Sequence, residues 1–559
     1  MKKKTPLIII IAVIVCGLVF GGIYLTRNIG KTDKAITVDD AKAKLSKYVT
    51  NIAAQEGTPV KGTVEYTDSD TTYQELPELT EDSIAVKEST EIYVEIFASS
   101  EKTGSGTDGF LREMATAFNK SGAEIDGSPV SVRIRTVASG QQVDYVASGK
   151  YVPTAISPSS DMSILMLEAD GVNCEYISQS LVMNYAGIVL SSSTYSTLME
   201  EYGSATVSAL AKATADDKII MGYTNPFTSA TGLNFLVTLL DEFSSGNILS
   251  ATAVNGFTAF QKNVPFVSMT TGQMRTAANN GTFDAFVMEY QAYLTDANLS
   301  ANYRFIPFGY EHNNPLVAVG QISDTDRAIL QLFADYCKNN GGDTAKKDGF
   351  NQTPDGYTAM TTSYTGEEII AAQKLYKENK DSAPIVCVFV ADVSGSMTGE
   401  PINTLKSSLV NSMQYINSDN YIGLVSYSDT VTISLPIAKF DLTQQSLFKG
   451  TVEALSANGA TATFDAICVA MQMIEDTLET VPDAKPMLFV LSDGETNRGY
   501  SLSEISDIVS GLSIPVYTIG YNADIAALEE ISAINEGICI NAGTDDIAYQ
   551  LKQLFNANM

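Results

Sequence analysis

Residues 386–401 read VCVFVADVSGSMTGEP, an apolar run that ends in an aspartate followed by two spaced serines. An unbroken apolar run of this kind is typical of a strand that is buried on both faces of a parallel sheet. The carboxyl ends of parallel strands meet at one edge of the sheet, and ligands bind there. We therefore expect Asp392, Ser394 and Ser396 to lie together at such an edge.

The residues after this strand predict a doubly wound α/β unit over 384–559. Strand-like runs such as YIGLVSYSD, KPMLFVLSDGETNRG and IPVYTIGYN alternate with amphipathic segments of helical character. This alternation is typical of parallel strands joined by crossover helices. A unit of this length has room for one hydrophobic core.

A second aspartate and a threonine fall at matching places in the predicted unit. Asp493 ends a strand in LSDGE, and Thr461 lies in the loop GATATFDA. Two carboxylates at neighbouring strand ends repel each other unless a cation lies between them. Carboxylate and hydroxyl oxygens are ligands that magnesium prefers. The pattern predicts a site for Mg²⁺, or for Mn²⁺ or Ca²⁺, made of Asp392, Ser394, Ser396, Thr461 and Asp493.

With these motifs in place, residues 384–559 resemble a von Willebrand factor type A domain with an intact metal-ion-dependent adhesion site. The five positions of the family's metal site fall on the five residues named above. The resemblance implies a Rossmann-like fold and metal-mediated binding of a protein partner, commonly through an acidic residue of that partner, without catalysis. A phosphatase with Asp392 as nucleophile is the enzymatic alternative, but that chemistry usually places a second acid where this sequence has Ser394.

The first 30 residues predict a membrane anchor. Three lysines are followed by an apolar run over 6–25, about 20 residues, which is long enough to cross a bilayer as a helix. The lysines favour a cytoplasmic start, so the bulk of the chain is expected outside a cell membrane that it crosses once. A cleaved signal peptide is the alternative.

Residues 31–90 predict one helix, in TVDDAKAKLSKYVTNIAAQ, followed by the acidic stretch EYTDSDTTYQELPELTEDS. The acidic stretch has no apolar period, which is typical of a solvated connector. We interpret 31–90 as a stalk that holds the globular part away from the membrane, with a small helical domain as the alternative.

Residues 91–375 repeat the order strand, polar turn, helix, which predicts a parallel sheet with crossover helices. Serines and threonines follow several of these strands, where hydroxyls and helix-start N–H groups can hold a polar ligand or an anion. Taken singly, each of these hydroxyls is also explained as a helix cap.

The pieces of 91–375 resemble, in their order, the two-lobed extracellular solute-binding proteins of ABC importers. The resemblance rests on FASSEKTG, PTAISPSS, LVMNYAGIVLSSS, TNPFTSATG, GTFDAFVMEYQAYL and YRFIPFGYEHNNPLVAVG. It implies a ligand held between two lobes by Ser99, Ser100, Ser157, Ser229, Thr231 and Tyr290. Lys102 is the one basic residue of FASSEKTG, so the charge of the ligand stays open.

Composition narrows the possible functions. The chain has 65 acidic and 35 basic residues, a formal charge of -30, which repels nucleic acid. Its one histidine, His312, cannot by itself build a histidine-rich zinc site or a catalytic triad. We expect a bacterial, membrane-anchored binding or adhesion protein that is not an enzyme. The alternative is a solute receptor, or a binding protein associated with an ABC importer, for a small oxyanion or polar metabolite.

Overall fold

The computed structural model describes residues 36–63, 76, 79, 81–244, 246–264, 266–268, 284–379, 383–413, 416–493, 496–521, 526–534, 539–541 and 551. The predicted membrane anchor over 6–25 lies outside these ranges, as does most of the acidic stretch. Within the described ranges, no helix has both the length and the apolar character needed to span a bilayer.

Three parts of the chain carry the secondary structure. The N-terminal segment, 36–63, contains α1 (Val38–Ile52) and β1 (Gln55–Glu56). The middle domain, 81–379, has the strands β2 (Ile84–Val86), β3 (Ile92–Ala98), β4 (Glu124–Ile125), β5 (Ser128–Thr136), β6 (Ala155–Ser157), β7 (Cys174–Ser178), β8 (Asn184–Ser191), β9 (Met221–Thr224), β10 (Phe266–Ser268), β11 (Ala285–Glu289), β12 (Tyr303–His312) and β13 (Leu316–Val319). Its helices are α2 (Ser100–Thr103), α3 (Phe110–Lys120), α4 (Ser139–Ala147), α5 (Met162–Ala169), α6 (Ser192–Glu201), α7 (Val207–Ala215), α8 (Ala230–Ser244), α9 (Ala251–Gln261), α10 (Tyr290–Thr295), α11 (Ala297–Asn302), α12 (Asp324–Asn340), α13 (Gly342–Lys347) and α14 (Gly366–Asn379).

The C-terminal domain begins at 383. Its strands are β14 (Ile385–Asp392), β15 (Tyr421–Tyr427), β16 (Val431–Lys439), β17 (Lys485–Ser492), β18 (Val516–Gly520) and β19 (Cys539–Asn541). Its helices are α15 (Glu400–Ser412), α16 (Leu442–Ala454), α17 (Thr463–Leu478), α18 (Leu502–Leu512) and α19 (Ala526–Ser532).

The middle domain consists of two lobes, each built on its own sheet. The strand order is β2-β5-β3-β6-β13-β7 in the first lobe and β10-β9-β11-β8-β12 in the second. The chain enters the second lobe through β8 and returns to the first through β13, as the resemblance to solute-binding proteins implies. Helix α14 contacts α5 of the first lobe and both α8 and α9 of the second.

The prediction of a parallel sheet in the middle domain is only partly right. The pairs β3–β5, β3–β6, β9–β10 and β9–β11 are parallel, but β8 runs antiparallel to β11 and β12, and β13 runs antiparallel to β6 and β7. The difference arises because the chain crosses between lobes through β8 and β13. A strand that enters a sheet from the other lobe is not bound by the handedness of a crossover helix.

The C-terminal domain is a sheet with helices on both faces. Its strand order is β1-β16-β15-β14-β17-β18-β19, and β14 is parallel to both of its neighbours. Every residue of β14 is buried, because α15 and α16 cover one face of the sheet while α17 and α18 cover the other. The expected doubly wound architecture therefore positions the end of β14 at the centre of one sheet edge.

The stalk prediction is wrong for residues 36–63, which pack against the C-terminal domain. Thr37 caps α1 by accepting the N–H of Asp40, and α1 lies against α17 and α18 with Ala41 and Leu45 fully buried. Strand β1 then extends the sheet by pairing with β16. Other apolar residues of the segment, among them Tyr48, Val49 and Ile52, pack against the same cluster, whose surface is supplied by helices more than 400 residues away in the sequence.

The chain after β1 stays in close contact with α16. The Gly62 N–H donates to the Ser446 carbonyl over 2.7 Å, and the Ser446 hydroxyl donates to the Gly62 carbonyl over 2.6 Å. A Cβ at Gly450 would lie 2.4 Å from the Gly62 nitrogen. The two backbones therefore lie closer together than a side chain at this position would allow.

The second lobe touches the C-terminal domain at the amino end of β17. The Lys485 ammonium donates to the Val264 carbonyl over 2.8 Å and to the Gln261 carbonyl over 3.3 Å, just beyond α9. Strand β17 spans about 23 Å at the usual rise per residue. The carboxyl edge of the sheet thus lies at the end of β17 away from this contact.

Candidate functional site

Asp392 ends β14 at the carboxyl edge of the C-terminal sheet and is fully buried. Its Oδ1 accepts the N–H of Ser394 over 2.8 Å. Its Oδ2 accepts the hydroxyl of Ser492 over 2.7 Å and that of Tyr427 over 3.2 Å. Burial raises the pKa of Asp392, and the charge of Asp493 adds to this, against the lowering effect of the bonds from Ser394 and Ser492.

Ser394 directly precedes a short 3-10 turn over Gly395–Met397, and Ser396 lies within it. Their hydroxyl oxygens lie 3.0 Å apart, with Ser394 buried and Ser396 exposed. The Ser394 hydroxyl therefore lies on the buried side, near Asp392, and the Ser396 hydroxyl lies at the surface. The two serines thus stand between the Asp392 carboxylate and solvent.

The loop that carries Thr461 lies directly over this turn. The Gly395 N–H donates to the Gly459 carbonyl over 2.9 Å. Gly459 has a φ of +83°, and a Cβ there would lie 2.4 Å from Oδ2 of Asp429, so the loop requires glycine at this point. Thr461 is buried, and its N–H donates to Oδ1 of Asn497 over 3.0 Å. The N–H of Asn497 donates back to the Thr461 carbonyl, also over 3.0 Å.

Asp493 follows β17 and is 6% exposed. Its Oδ1 is buried and has no hydrogen-bond partner among the described residues. A buried carboxylate oxygen without a donor is costly, and it stands beside a second buried carboxylate, Asp392. A divalent cation would satisfy both, so the residues present fit the metal that the sequence predicts.

The five predicted metal-site residues therefore come from three adjoining loops at one edge of the sheet. Two carboxylates and three hydroxyls form a hard oxygen donor set suited to Mg²⁺, Mn²⁺ or Ca²⁺. Among the described residues, no group of three or more acidic, histidine or cysteine side chains is arranged for a metal.

Three supporting residues were missed in the sequence: Tyr427 and Ser492, which hold Asp392, and Asn497, which holds Thr461. Ser492 stands in the quoted motif LSDGE directly before Asp493, so its place at the same strand end was a usable signal. Tyr427 ends β15, whose register places it opposite Asp392. No local pattern indicated Asn497.

A second candidate site lies between the lobes of the middle domain. Four of the six residues predicted there line this cleft: Ser99, Ser100, Ser229 and Thr231. Glu101 and Glu289, which the sequence did not suggest, line it as well. The signal for Glu289 was its position at the end of a strand-like run, directly before the predicted Tyr290.

The other two predicted residues do not line this cleft. Ser157 ends β6 and is fully buried, and its hydroxyl has no hydrogen-bond partner within the described ranges. Tyr290 packs its ring against Phe305 and Tyr293, with centroids 4.8 and 6.0 Å away. Tyr290 lies elsewhere because β11 ends at Glu289, so the next side chain belongs to α10 and joins an aromatic cluster.

Lys102 and Glu101 form a buried ion pair on the first-lobe side. The Lys102 ammonium donates to Oδ1 of Asn314 over 2.7 Å, to the hydroxyl of Ser99 over 2.8 Å and to the Pro158 carbonyl over 3.2 Å, and it lies 3.3 Å from Oε1 of Glu101. Burial lowers the pKa of Lys102. Burial raises the pKa of Glu101, but Lys102 and the neighbouring serine hydroxyls outweigh it and hold that pKa below its usual range.

Glu289 forms the second-lobe side, and it is 2% exposed. Its Oε1 accepts the hydroxyl of Thr231 over 2.9 Å and lies 3.2 Å from Nδ1 of His312. Its Oε2 accepts an amide N–H of Asn184 over 3.2 Å. The carboxylate is thus held rigidly between elements of the second lobe.

Family comparisons agree with this two-part organisation. Residues 387–557 match the von Willebrand factor type A domain family, and residues 103–351 match the bacterial extracellular solute-binding protein family. Inter-alpha-trypsin inhibitor heavy chain H3 of Bos taurus is 28% identical over 169 residues, which are 28% of this chain and 18% of that protein. This chain spans only about a fifth of the length of that relative.

Solved structures resemble each part separately. A von Willebrand factor type A protein from Catenulispora acidiphila matches 32% of this chain and 43% of its own with 18% identity and a TM-score of 0.29. A periplasmic thiamin binding protein matches 53% of this chain and 98% of its own with 12% identity and a TM-score of 0.38. Residues 103–351 and 387–557 are thus similar to two different families, the bacterial extracellular solute-binding proteins and the von Willebrand factor type A domains, respectively.

Proposed function

We propose that the C-terminal domain binds a divalent cation, Mg²⁺ in the first place, and uses it to hold a protein partner. The observation that carries the proposal is the buried Oδ1 of Asp493, which has no hydrogen-bond partner among the described residues, beside the fully buried Asp392. The family match over 387–557 supports a binding role for this edge.

Asp392, Ser394, Ser396, Thr461 and Asp493 would hold the cation. When bound, the cation would supply a positively charged acceptor for an acidic side chain of the partner. Ser492 and Tyr427 keep the Asp392 carboxylate in one orientation, and the bond between Gly395 and Gly459 keeps two of the loops together. The exposure of Ser396 supports a site at a surface that a partner can reach.

Calorimetric titration of the full chain with MgCl₂ tests the cation site. The wild type should bind Mg²⁺ with a signal that EDTA removes, and Asp392→Ala should bind one equivalent less than the wild type. Asp419→Asn is the matched control, because this exposed aspartate pairs with Lys439 at the amino end of β15, away from the site. Equal Mg²⁺ binding by wild type and Asp392→Ala would contradict the proposal.

Acetate serves as the simplest probe for the partner's acidic group. With Mn²⁺ bound to the chain, the NMR lines of acetate should broaden, and Asp392→Ala should abolish the broadening. Sharp acetate lines in the presence of the Mn²⁺-loaded wild type would count against recognition through a carboxylate.

We further propose that the proposed site acts in binding and not in catalysis. The position two residues after Asp392, which an aspartate-based phosphatase fills with a second acid, is Ser394. Hydrolysis of an aryl phosphate by purified wild type, lost in Asp392→Ala, would overturn this.

The proposed location is the outer face of a cell membrane, with residues 6–25 as a single-pass anchor. The support is the apolar length of this segment and the three preceding lysines. Cell fractionation checks it: the full chain should sediment with membranes, and a chain without residues 6–25 should not. A mature N-terminus downstream of Leu25 would contradict the anchor.

A second function is proposed for the middle domain, namely binding of a small solute between its lobes. The cleft lined by hydroxyls and carboxylates of both lobes supports it, together with the family match over 103–351. Calorimetry of the full chain against panels of small ligands tests it. Substitutions at Thr231 or Glu289 should abolish the binding of a solute that the wild type binds.

A further inference from the structure

We propose that the ligand of the interlobe cleft presents a positive charge, an ammonium group or a metal cation, to Glu101 and Glu289. The proposal rests on the solute-binding function proposed for the middle domain and names the class of ligand. This cationic class differs from the small oxyanion that the sequence left open as a ligand.

The two carboxylates are the charged groups that line the cavity. Among the described residues of its lining, none is a lysine or an arginine. Lys102 lies behind the lining with its side chain fully buried, and three of its acceptors are Ser99, Asn314 and the Pro158 carbonyl. An ammonium group has three protons, so these bonds and the Glu101 carboxylate already use its donors.

His312 adds no positive charge on the Glu289 side. The Tyr310 N–H donates to Oδ1 of Asn234 over 3.0 Å, and Nδ2 of Asn234 donates to the Tyr310 carbonyl over 2.8 Å, which fixes the orientation of this amide. The same Nδ2 lies 3.2 Å from Nε2 of His312, so Nε2 accepts a hydrogen bond from this amide and bears no proton of its own. Nδ1 then bears the single ring proton and donates it to Glu289.

Glu289 is hydrogen-bonded on both oxygens, by Thr231 and His312 on Oε1 and by Asn184 on Oε2. Glu101 is balanced by Lys102, and the bonds from Ser99, Ser159 and Lys102 all reach its Oε1, which leaves Oε2 as the oxygen it can offer to a ligand. With two carboxylates in the lining and the buried Lys102 behind it, the formal charge at the cavity wall is negative. An oxyanion would meet this charge without a lysine or arginine in the lining to pair with, whereas a cation would be attracted.

The space agrees with a small cationic group. The cavity has a volume of about 30 Å³. One or two water molecules, an ammonium group or a bare metal ion fit such a volume. Hydroxyls of Ser229 and Thr231 line it together with the carboxylates, and oxygen acceptors of both kinds suit an ammonium or a hard cation.

Thermal unfolding of the full chain with three kinds of probe tests the proposal. The probes are methylammonium and putrescine for organic ammonium groups, CaCl₂ for a metal cation, and sodium sulfate, phosphate and molybdate for oxyanions. The metal arm uses the Asp392→Ala chain, so that the C-terminal site does not contribute. At a hundredfold excess over Kd, a bound cation should raise the Tm of the middle domain by roughly 5 °C.

Glu289→Gln and, independently, Glu101→Gln should abolish this shift, and either variant serves if the other does not fold. Glu175→Gln is the matched control, because this glutamate pairs with Arg327 on the surface of the first lobe. A shift with an oxyanion that Glu289→Gln preserves would overturn the cationic ligand yet leave solute binding intact. No shift with any probe would overturn both, and the ammonium and calcium arms tell the two cationic sources apart.

Discussion

The hydroxyl of Ser492 donates to Oδ2 of Asp392 over 2.7 Å and so joins the carboxyl ends of two neighbouring parallel strands, β17 and β14. Asp493, the next residue, is carried to the same edge by the same strand. One short bond thus fixes the orientation of the first proposed metal ligand and the distance of the second from it. Groups that orient a metal ligand in this way commonly affect metal affinity almost as strongly as the ligands do.

Ser492→Ala should weaken Mg²⁺ binding by roughly ten- to a hundredfold, because Asp392 loses the donor that orients it. Calorimetric titration of the full chain measures the change. Ser503→Ala, an exposed serine of α18, provides the control and should bind Mg²⁺ as the wild type does. An unchanged affinity in Ser492→Ala would mean that Asp392 does not need this donor.

Leu45→Ala should destabilise the C-terminal domain by about 2–5 kcal/mol, because Leu45 is fully buried against the helices of that domain. Chemical unfolding of the full chain measures it. Lys47→Ala, on the exposed face of the same helix, should change the unfolding free energy little. If the N-terminal segment were a stalk, both variants would behave alike.

Lys102→Met should destabilise the middle domain by about 3–5 kcal/mol, because it leaves the Glu101 carboxylate buried without its partner. The double variant Lys102→Met with Glu101→Gln removes both charges and should be more stable than Lys102→Met alone. Thermal unfolding compares the two. A double variant that is less stable than Lys102→Met alone would show that Lys102 does not stabilise the domain mainly through its ion pair with Glu101.

The Glu101→Gln variant should lose its stability deficit in acid. The folded pKa of Glu101 lies below its unfolded value of about 4.3. Its carboxylate therefore stabilises the fold above that pH, and this contribution disappears as the pH falls through the folded pKa. Unfolding midpoints of wild type and Glu101→Gln should differ at pH 7, and the difference should shrink as the pH falls below about 4.3. A difference that stays constant down to pH 3 would contradict the assignment.

Local pattern was sufficient for most strands and helices of the C-terminal domain. The apolar run before Asp392 predicts a strand buried on both faces, and β14 is such a strand. The motif LSDGE places Asp493 at a strand end, as the structure does. These predictions succeed because strand burial and strand ends are expressed in consecutive residues.

The role of residues 36–63 could not be predicted in the same way. Helix α1 shows few apolar positions, and only the surface of α17 and α18 makes Ala41 and Leu45 a buried pair. The mixed strand directions of the middle domain also escaped prediction, because they depend on where the chain crosses between lobes.

Residues close along the chain were enough to indicate the resemblance to two families, the strand ends at Asp392 and Asp493 and the hydroxyls around them. Only the folded structure shows that Glu101 and Glu289 face one cavity and that the Lys102 ammonium already donates to Ser99, Asn314 and the Pro158 carbonyl. The same holds for the neutral ring of His312, whose Nδ1 donates to Glu289. The reason is physical: the charge of a binding site depends on which donors and acceptors meet in space, and these come from segments nearly 200 residues apart in the sequence.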